Sequence, residues 1–149
     1  MMILVSHRGN INGPKPELEN TISQIEYCIA IGYNVEIDLR FIDKRLYLGH
    51  DEPQYEVNLD FLVNYKNSLW CHAKNIKAFE FMLDNGQLNC FWNDTDTYAL
   101  TSKGYIWTYN TNKLSSKSVV MCSTLSEVFC SFKQNISGIC SDYVGELGL

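Results

Sequence analysis

The chain has 149 residues, of which 46% are hydrophobic and 13% aromatic, and its formal net charge is −5. These values predict one globular domain spanning residues 1–149 and exclude a disordered chain. The acidic balance and the lack of a basic run argue against nucleic-acid binding. No apolar stretch approaches the ~20 residues of a membrane span. The N-terminal residues lack the pattern of a signal peptide, so we expect a cytoplasmic protein.

Predicted strands and helices alternate along the chain. Apolar runs predict strands at residues 2–6, 33–40, 68–74, 89–92, 105–108, 118–121 and 138–142, with a short extension at 46–48. Helices are predicted after Asn20 as the N-cap, after Asn58, after Asn75 and after Thr124, where Glu127 completes a capping box. The polar segment 93–102 is expected to form only a helical turn or two.

Alternating strands and helices over short loops predict βα units, a parallel sheet and right-handed crossovers. We therefore predict an α/β fold, a reduced (β/α) TIM-like barrel of seven to eight mainly parallel strands with several shortened or missing helices. Because a full (β/α)8 barrel usually takes ~250 residues, a flattened open sheet is the alternative. The six cysteines contain no C-x-x-C pair, and all six are expected to be reduced core thiols.

Two acidic residues interrupt the apolar segment 35–40. Glu36 and Asp38 are separated by one residue, so on a strand both side chains point to the same face. Two carboxylates that face a core lose hydration and repel each other unless a cation or hydrogen-bond donors compensate them. The alternative is an edge strand with a solvated acidic face, and the segment alone does not decide between the two.

All three histidines lie at or just beyond the C-terminal ends of predicted strands. His7 follows the first strand, His50 follows the short extension and His72 lies near the end of the third predicted strand. In a parallel barrel the chemistry takes place at this end of the strands. With Arg8 and Lys74, the histidines supply positive charge and proton carriers, an inventory that suits phosphoryl chemistry. Singly, each of these residues is more often structural.

Four ordered motifs resemble the N-terminal signature of the glycerophosphodiester phosphodiesterases. These are Ser6-His7-Arg8-Gly9, Glu19-Asn20-Thr21, Val35-Glu36-Ile37-Asp38-Leu39-Arg40 and Gly49-His50-Asp51, with weaker similarity at 72–74 and 138–142. The family is grouped with phosphatidylinositol-specific phospholipase C and spider-venom sphingomyelinase D on a (β/α)8 barrel. The resemblance therefore implies the same barrel and a hydrolase of phosphoric diesters, with a link to lipid metabolism.

The resemblance also implies roles for individual residues. His7 and His50 would be the general acid and base, and Glu36 and Asp38 would hold a divalent metal ion, Mg, Ca or Mn, against a phosphate oxygen. The remaining implied roles are phosphate binding by Arg8 and Lys74, a catalytic contribution from Lys74, and support of the phosphate corner by Glu19 and Asn20. Residues expected to line the pocket are Trp92, Asn93, Trp107 and Asp142.

Three departures from the family pattern bear on substrate and metal, and the first is that the chain is well over a third shorter than the usual barrel of ~250 residues. His72 stands where the family has a third acidic ligand, and imidazole favours Mn or Zn over Mg and Ca. The family's inserted subdomain after the H-D motif, which helps to shape its glycerol pocket, is absent.

The leading hypothesis is a metal-dependent phosphodiesterase that acts on a small glycerophosphodiester-like substrate through His7 and His50. The alternative is a non-catalytic phosphate- or sugar-phosphate-binding domain on the same barrel. A third alternative, a metal-independent lyase, is disfavoured because the acid pair requires a cation beside a phosphate. An incomplete barrel could also complete itself as a homo-oligomer, although no segment of the sequence indicates an interface.

Overall fold

The computed structural model describes residues 1–148, which form a ten-stranded sheet with α-helices packed on its outer face. The strands are β1 (Ile3–His7), β2 (Asn34–Ile42), β3 (Arg45–Leu48), β4 (Tyr55–Val57), β5 (Leu69–Ala73), β6 (Asn89–Phe91), β7 (Tyr98–Leu100), β8 (Ile106–Thr108), β9 (Ser118–Cys122) and β10 (Gly138–Ser141). The α-helices are α1 (Ile22–Ala30), α2 (Leu59–Asn64), α3 (Ile76–Asn85) and α4 (Leu125–Phe132), and a 3₁₀ turn covers Val144–Leu147.

The parallel strands of the sheet run in the order β6-β5-β2-β1-β10-β9-β8. They coincide with the seven strands expected from the sequence, and the curled sheet with few helices confirms the predicted reduced barrel. The strands β3 and β4 extend β2 as an antiparallel hairpin. The expectation for residues 93–102 was wrong, because this segment contributes β7, which pairs antiparallel with β8 through Tyr98 and Thr108.

The barrel has a seam between β6 and β8, which share no ladder within residues 1–148. Ser102 bridges the seam: its backbone N–H donates to the Cys90 carbonyl at 2.8 Å, and its Oγ accepts from the Cys90 N–H at 2.9 Å. The Ser102 hydroxyl in turn donates to the Leu88 carbonyl at 2.9 Å. Inside the barrel the rings of Phe91 and Trp107 stack across the same seam at 4.4 Å. One serine and one aromatic stack therefore replace a strand ladder.

Strand alternation divides the apolar residues into two cores. The barrel interior contains Val5, Trp70, Phe91, Trp107, Val119, Met121 and Cys140. The opposite faces of the strands pack against the helices, as Ile37 of β2, Ile25 of α1 and Met82 of α3 do, and all three of these side chains are fully buried. None of the helices in residues 1–148 combines the length and the apolar character that a bilayer span requires.

Two local expectations need correction. The N-cap of α1 is Thr21, whose hydroxyl accepts from the Gln24 N–H, and not Asn20, which is used elsewhere. Cys130 is exposed, whereas the other five cysteines are buried free thiols. The position of Cys130 on the outer face of α4 explains the difference, because the packed side of that helix is formed by Val128 and Ser131.

Asn75 connects α3 to the barrel. Its Oδ1 accepts from the Ala78 N–H at 2.9 Å and the Phe41 N–H at 3.2 Å, while its Nδ2 donates to the Phe41 carbonyl at 3.2 Å. Asn58 caps α2 through a single exposed bond to the Phe61 N–H. Replacing a capping asparagine by alanine costs about 1 kcal/mol, and each further hydrogen bond adds about 1 kcal/mol.

We expect Asn75→Ala to lower the free energy of unfolding by roughly 2–3 kcal/mol, and the control Asn58→Ala by about 1 kcal/mol. Urea denaturation of the two variants and the unchanged protein measures this difference. Equal losses would mean that the two bonds to Phe41 contribute nothing to stability.

Candidate active site

The candidate active site lies where β1, β2, β5 and β10 end. His7 pairs with Glu36 in the β1–β2 register, and Asp38 pairs with His72 in the β2–β5 register. Asp142 directly follows β10, which lies on the other side of β1. Because parallel strands bring their C-terminal ends to one edge, these five side chains meet although 135 residues separate His7 from Asp142.

Glu36 and Asp38 are buried at the centre of this rim, with 1% and 0% of their surface exposed. β2 is an inner strand between β1 and β5, so the edge-strand alternative does not apply. One ligand atom from each of Glu36, Asp38 and His72 lies within 4.8 Å of the other two. Asp38 Oδ1 is buried and finds no hydrogen-bond partner in residues 1–148. Burying such an oxygen costs free energy unless a cation compensates its charge.

The proton arrangement on His72 also suits a metal ligand. Its Nε2 lies 3.2 Å from the Asn93 carbonyl, which only accepts, so Nε2 carries a proton. Its Nδ1 lies 3.5 Å from Glu36 Oε1 and 3.6 Å from Asp38 Oδ1. A second proton on Nδ1 or a metal ion can therefore sit between the imidazole and the two carboxylates. The donor set fits a divalent cation, with an imidazole nitrogen beside two carboxylates.

The two carboxylates respond differently to their surroundings. Burial alone would raise the pKa of Glu36, but the hydrogen bond with His72 and the positive charges of His7 and Arg8 lower it to about 2. Burial and the charge of Glu36 raise the pKa of Asp38, and Arg8 only partly opposes this. One carboxyl group of the pair therefore ionises readily and the second ionises with difficulty, as expected for two adjacent buried acids.

His7 is oriented by Asp142. Its Nδ1 donates to Asp142 Oδ1 at 2.9 Å, and its Nε2 lies 4.0 Å from Glu36 Oε2. Burial would lower the pKa of His7, but the hydrogen bond to Asp142 and the charge of Glu36 together raise it. Asn10 fixes Asp142 by donating to the same Oδ1 at 2.8 Å, and it also donates to Glu19 at 2.8 Å. His7 thus has one nitrogen held and the other free for proton transfer.

Arg8 and Asn20 form a second layer around Asp38. Arg8 Nε lies 3.2 Å from Asp38 Oδ2, and its Nη1 lies 3.3 Å from Glu19 Oε2. Asn20 binds Asp38 twice, donating from Nδ2 to Oδ2 and accepting the backbone N–H, both at 3.0 Å. Arg8 and Asn20 have φ angles of 55° and 59°, a left-handed conformation that is unfavourable for an arginine. The hydrogen bond from the Asn20 N–H to the Arg8 carbonyl joins these two strained positions.

His50 lies between two clefts. A cleft of about 330 Å³ is bordered by His50, His72, Lys74, Trp92 and Asn93, and a smaller one of about 170 Å³ is bordered by His50, Arg8, Glu19 and Asn20. Arg40 donates to the carbonyls of Gly49 and His50 and so fixes the turn. His50 Nδ1 is 2.8 Å from Asp51 Oδ1, which leaves Nε2 unconstrained. A Cβ atom on Gly49 would lie 2.0 Å from the Glu52 carbonyl oxygen, so this turn requires glycine.

Not every residue expected in the pocket lies at the clefts. Trp92 and Asn93 border the larger cleft, whereas Trp107 is buried inside the barrel with 1% exposure, below the rim. Asp142 lies at the rim but is engaged with His7 and Asn10. Sequence reasoning missed Asn10 and Arg40. Two signals in the sequence point to them: an asparagine directly after the turn at Gly9, and an arginine two residues after Asp38 on the same face.

No protein-family model matches the sequence, and no curated protein matches it. Solved structures do resemble the fold. The glycerophosphodiester phosphodiesterase of Thermotoga maritima superposes with a TM-score of 0.61 at 14% identity, over 99% of this chain and 97% of that one. The enzyme of the same name from Agrobacterium tumefaciens gives a TM-score of 0.55 at 13% identity, over 97% and 96% of the two chains. The chain thus has the fold of these phosphodiesterases, as its motifs predicted.

We expect Asp142→Asn to lower the pKa of His7, because an amide cannot stabilise the imidazolium as the carboxylate does. A histidine-selective NMR titration of metal-free protein measures this value. The control is Asp51→Asn, which should leave the His7 titration unchanged because Asp51 contacts His50. An unchanged His7 pKa in Asp142→Asn would rule out Asp142 as its orienting partner.

The same pair makes stability depend on pH. The raised pKa of His7 stabilises the fold fully below its unfolded value of 6.5, and this contribution is lost as the pH rises through the folded pKa. The lowered pKa of Asp142 contributes stability above 3.8, which is lost as the pH falls. The stability advantage over Asp142→Asn should therefore be greatest between these two limits.

Proposed function

We propose that this chain is a metal-dependent phosphodiesterase that hydrolyses a small glycerophosphodiester-like substrate. The observation that carries the proposal is the meeting of three acceptors, from Glu36, Asp38 and His72, beside a histidine whose Nδ1 is held by Asp142. Two buried carboxylates beside an imidazole nitrogen, with Asp38 Oδ1 lacking a hydrogen-bond partner in residues 1–148, favour positive charge between them. The shared fold of two glycerophosphodiester phosphodiesterases supports the reaction class.

The proposed roles follow from which atoms are free. His7 Nε2 and His50 Nε2 are the two imidazole nitrogens that neighbouring carboxylates leave for proton transfer. One takes the proton from the attacking water or substrate hydroxyl, and the other gives a proton to the departing alkoxide oxygen. Attack by water leaves a phosphomonoester and an alcohol, and attack by a substrate hydroxyl leaves a cyclic phosphate and the same alcohol. A divalent ion held by Glu36, Asp38 and His72 would supply positive charge against a phosphate oxygen.

Residues that border the two clefts would bind the substrate. Arg8 and Lys74 border the two clefts on either side of His50 and would neutralise the phosphate. The buried Nδ2 of Asn93 lacks a hydrogen-bond partner in the described chain. A substrate oxygen would accept a hydrogen bond from it. Glu19 and Asn20 would hold Arg8 and Asp38 in place. Clefts of this size favour a small, soluble phosphodiester over a bulky one.

A second function, phosphate or sugar-phosphate binding without turnover, is favoured by one observation. The His50 side chain is 37% exposed and its partner Asp51 is 92% exposed, so half of the proposed acid–base pair is oriented by a carboxylate that lies in solvent. A binding domain would keep the charged rim without needing two ordered imidazoles. The two functions differ in whether the histidines affect turnover or only affinity.

We expect chelator-stripped protein to regain hydrolysis of bis-p-nitrophenyl phosphate or glycerophosphocholine when Mg²⁺, Ca²⁺, Mn²⁺ or Zn²⁺ is restored singly. His7→Ala and His50→Ala should each lower kcat by roughly 10²- to 10⁴-fold, because each removes one proton-transfer group. Lys77→Ala is the control, since Lys77 is exposed and forms its ion pair within residues 1–148 with Glu80 alone. Metal-dependent melting shifts without turnover on either substrate would reject the enzyme and favour the binding domain.

We expect His72 to set the metal preference. His72→Asp should shift binding from Mn²⁺ and Zn²⁺ towards Mg²⁺ and Ca²⁺, because it replaces an imidazole by a carboxylate. The matched control His72→Asn removes the imidazole without adding charge and should weaken binding of all four ions. Calorimetric titration with each metal measures the order of affinity. An unchanged order in His72→Asp would mean that His72 is not a ligand.

A further inference from the structure

A third cavity opens at the end of the barrel opposite the candidate active site. Its volume is about 600 Å³, larger than either cleft at the rim. Its wall includes the first residues of four parallel strands, Ile3, Asn34, Leu69 and Asn89, and Tyr105 immediately before β8. The cavity therefore lies below the seam between β6 and β8, at the N-terminal ends of the strands.

The lining of this cavity is unusual for the lower end of a barrel, which normally serves stability and is filled by branched apolar side chains. Four amide side chains border it, from Asn34, Asn67, Gln87 and Asn89. Two lysines border it as well, and no aspartate or glutamate is among its described lining residues, although the chain carries a net charge of −5. The cavity is thus locally positive and rich in hydrogen-bonding groups.

The two lysines converge on one turn. Lys66 Nζ donates to Gln87 Oε1 at 2.9 Å, and Lys103 Nζ donates to the Gly86 carbonyl at 2.9 Å. Neither lysine forms an ion pair with another residue of 1–148. Neutral oxygens of two adjacent residues therefore accept from the two lysines, and neither ammonium group has a counter-charge among residues 1–148. A dianion that contacts both lysines would supply that counter-charge.

The wall also offers groups for an uncharged part of a ligand. Asn89 is 7% exposed, and its Oδ1 accepts no hydrogen bond from the described residues, so it can accept one from a hydroxyl. Tyr105 packs against Trp70 with ring centroids 5.0 Å apart and presents a partly exposed aromatic surface. The amides can form hydrogen bonds with hydroxyl groups, and the aromatic surface can pack against C–H groups. Together they suit a small polyhydroxylated molecule.

We propose that this cavity is a binding site for a small sugar phosphate, separate from the catalytic rim. The phosphate lies between Lys66 and Lys103, and the hydroxyls reach the amides, including Asn89. The volume falls within the range of small-molecule sites. The site does not depend on the reaction proposed for the rim, since it shares no lining residue with the clefts there.

The test is an NMR titration of metal-free protein with glucose 6-phosphate. We expect saturable shifts of the Gly86 and Gln87 backbone amides, and a dissociation constant that rises roughly tenfold or more in the double variant Lys66→Gln/Lys103→Gln. The control Lys113→Gln/Lys133→Gln removes the same charge from exposed positions away from the cavity and should bind as the unchanged protein does. Unfolding curves confirm that both double variants fold.

Four results would overturn the proposal. Saturable shifts confined to Gly9 and Gly49 would place all binding at the catalytic rim. A dissociation constant that is equal in the two double variants would show that Lys66 and Lys103 do not hold the phosphate. Glucose binding as tightly as glucose 6-phosphate would remove the need for a dianion, and inorganic phosphate binding as tightly would remove the role of the amides and Tyr105.

Discussion

The structure depends on two carboxylates that are buried side by side. Glu36 and Asp38 repel each other in a place that water does not reach, and the surrounding residues reduce that cost. Arg8 and Asn20 bind Asp38, and His7 and His72 approach Glu36. Much of the rim is therefore an arrangement of positive charge and donors around one acid pair. The left-handed backbone at Arg8 is tolerated because it helps to bring this positive charge to Asp38.

Alternation of side chains along single strands explains why so much was predictable from the sequence. A period of two places Glu36 and Asp38 on one face of β2 and Val35, Ile37 and Leu39 on the other. The same rule identified the seven parallel strands, because each is a short apolar run bounded by turn residues. This rule did not identify β7, because Tyr98-Ala99-Leu100 is short and its pairing with β8 depends on tertiary contacts that no local pattern encodes.

The site was predictable to the extent that its residues lie in ordered motifs near strand ends. What was missed depends on contacts between distant segments. Asn20 has the sequence of a helix N-cap, yet the cap is Thr21 because Asn20 meets its hydrogen-bonding needs on Asp38. Asp142 was expected only to line the pocket, and its bond to His7 depends on β10 lying beside β1. A local sequence pattern predicts the strand to which a residue belongs. Its hydrogen-bond partner depends instead on which strands are neighbours in the sheet.

That adjacency has a consequence for how the protein is made. β1 lies between β2 and β10, so the first strand is complete on one side early in synthesis and on the other only after residues 138–141 emerge. Contacts between such distant segments form slowly, because loop closure must precede them. A nascent chain can therefore fold β2, β5 and the acid pair while His7 still lacks Asp142. β10, the last strand along residues 1–148, both pairs with β1 and is followed by the carboxylate that binds His7.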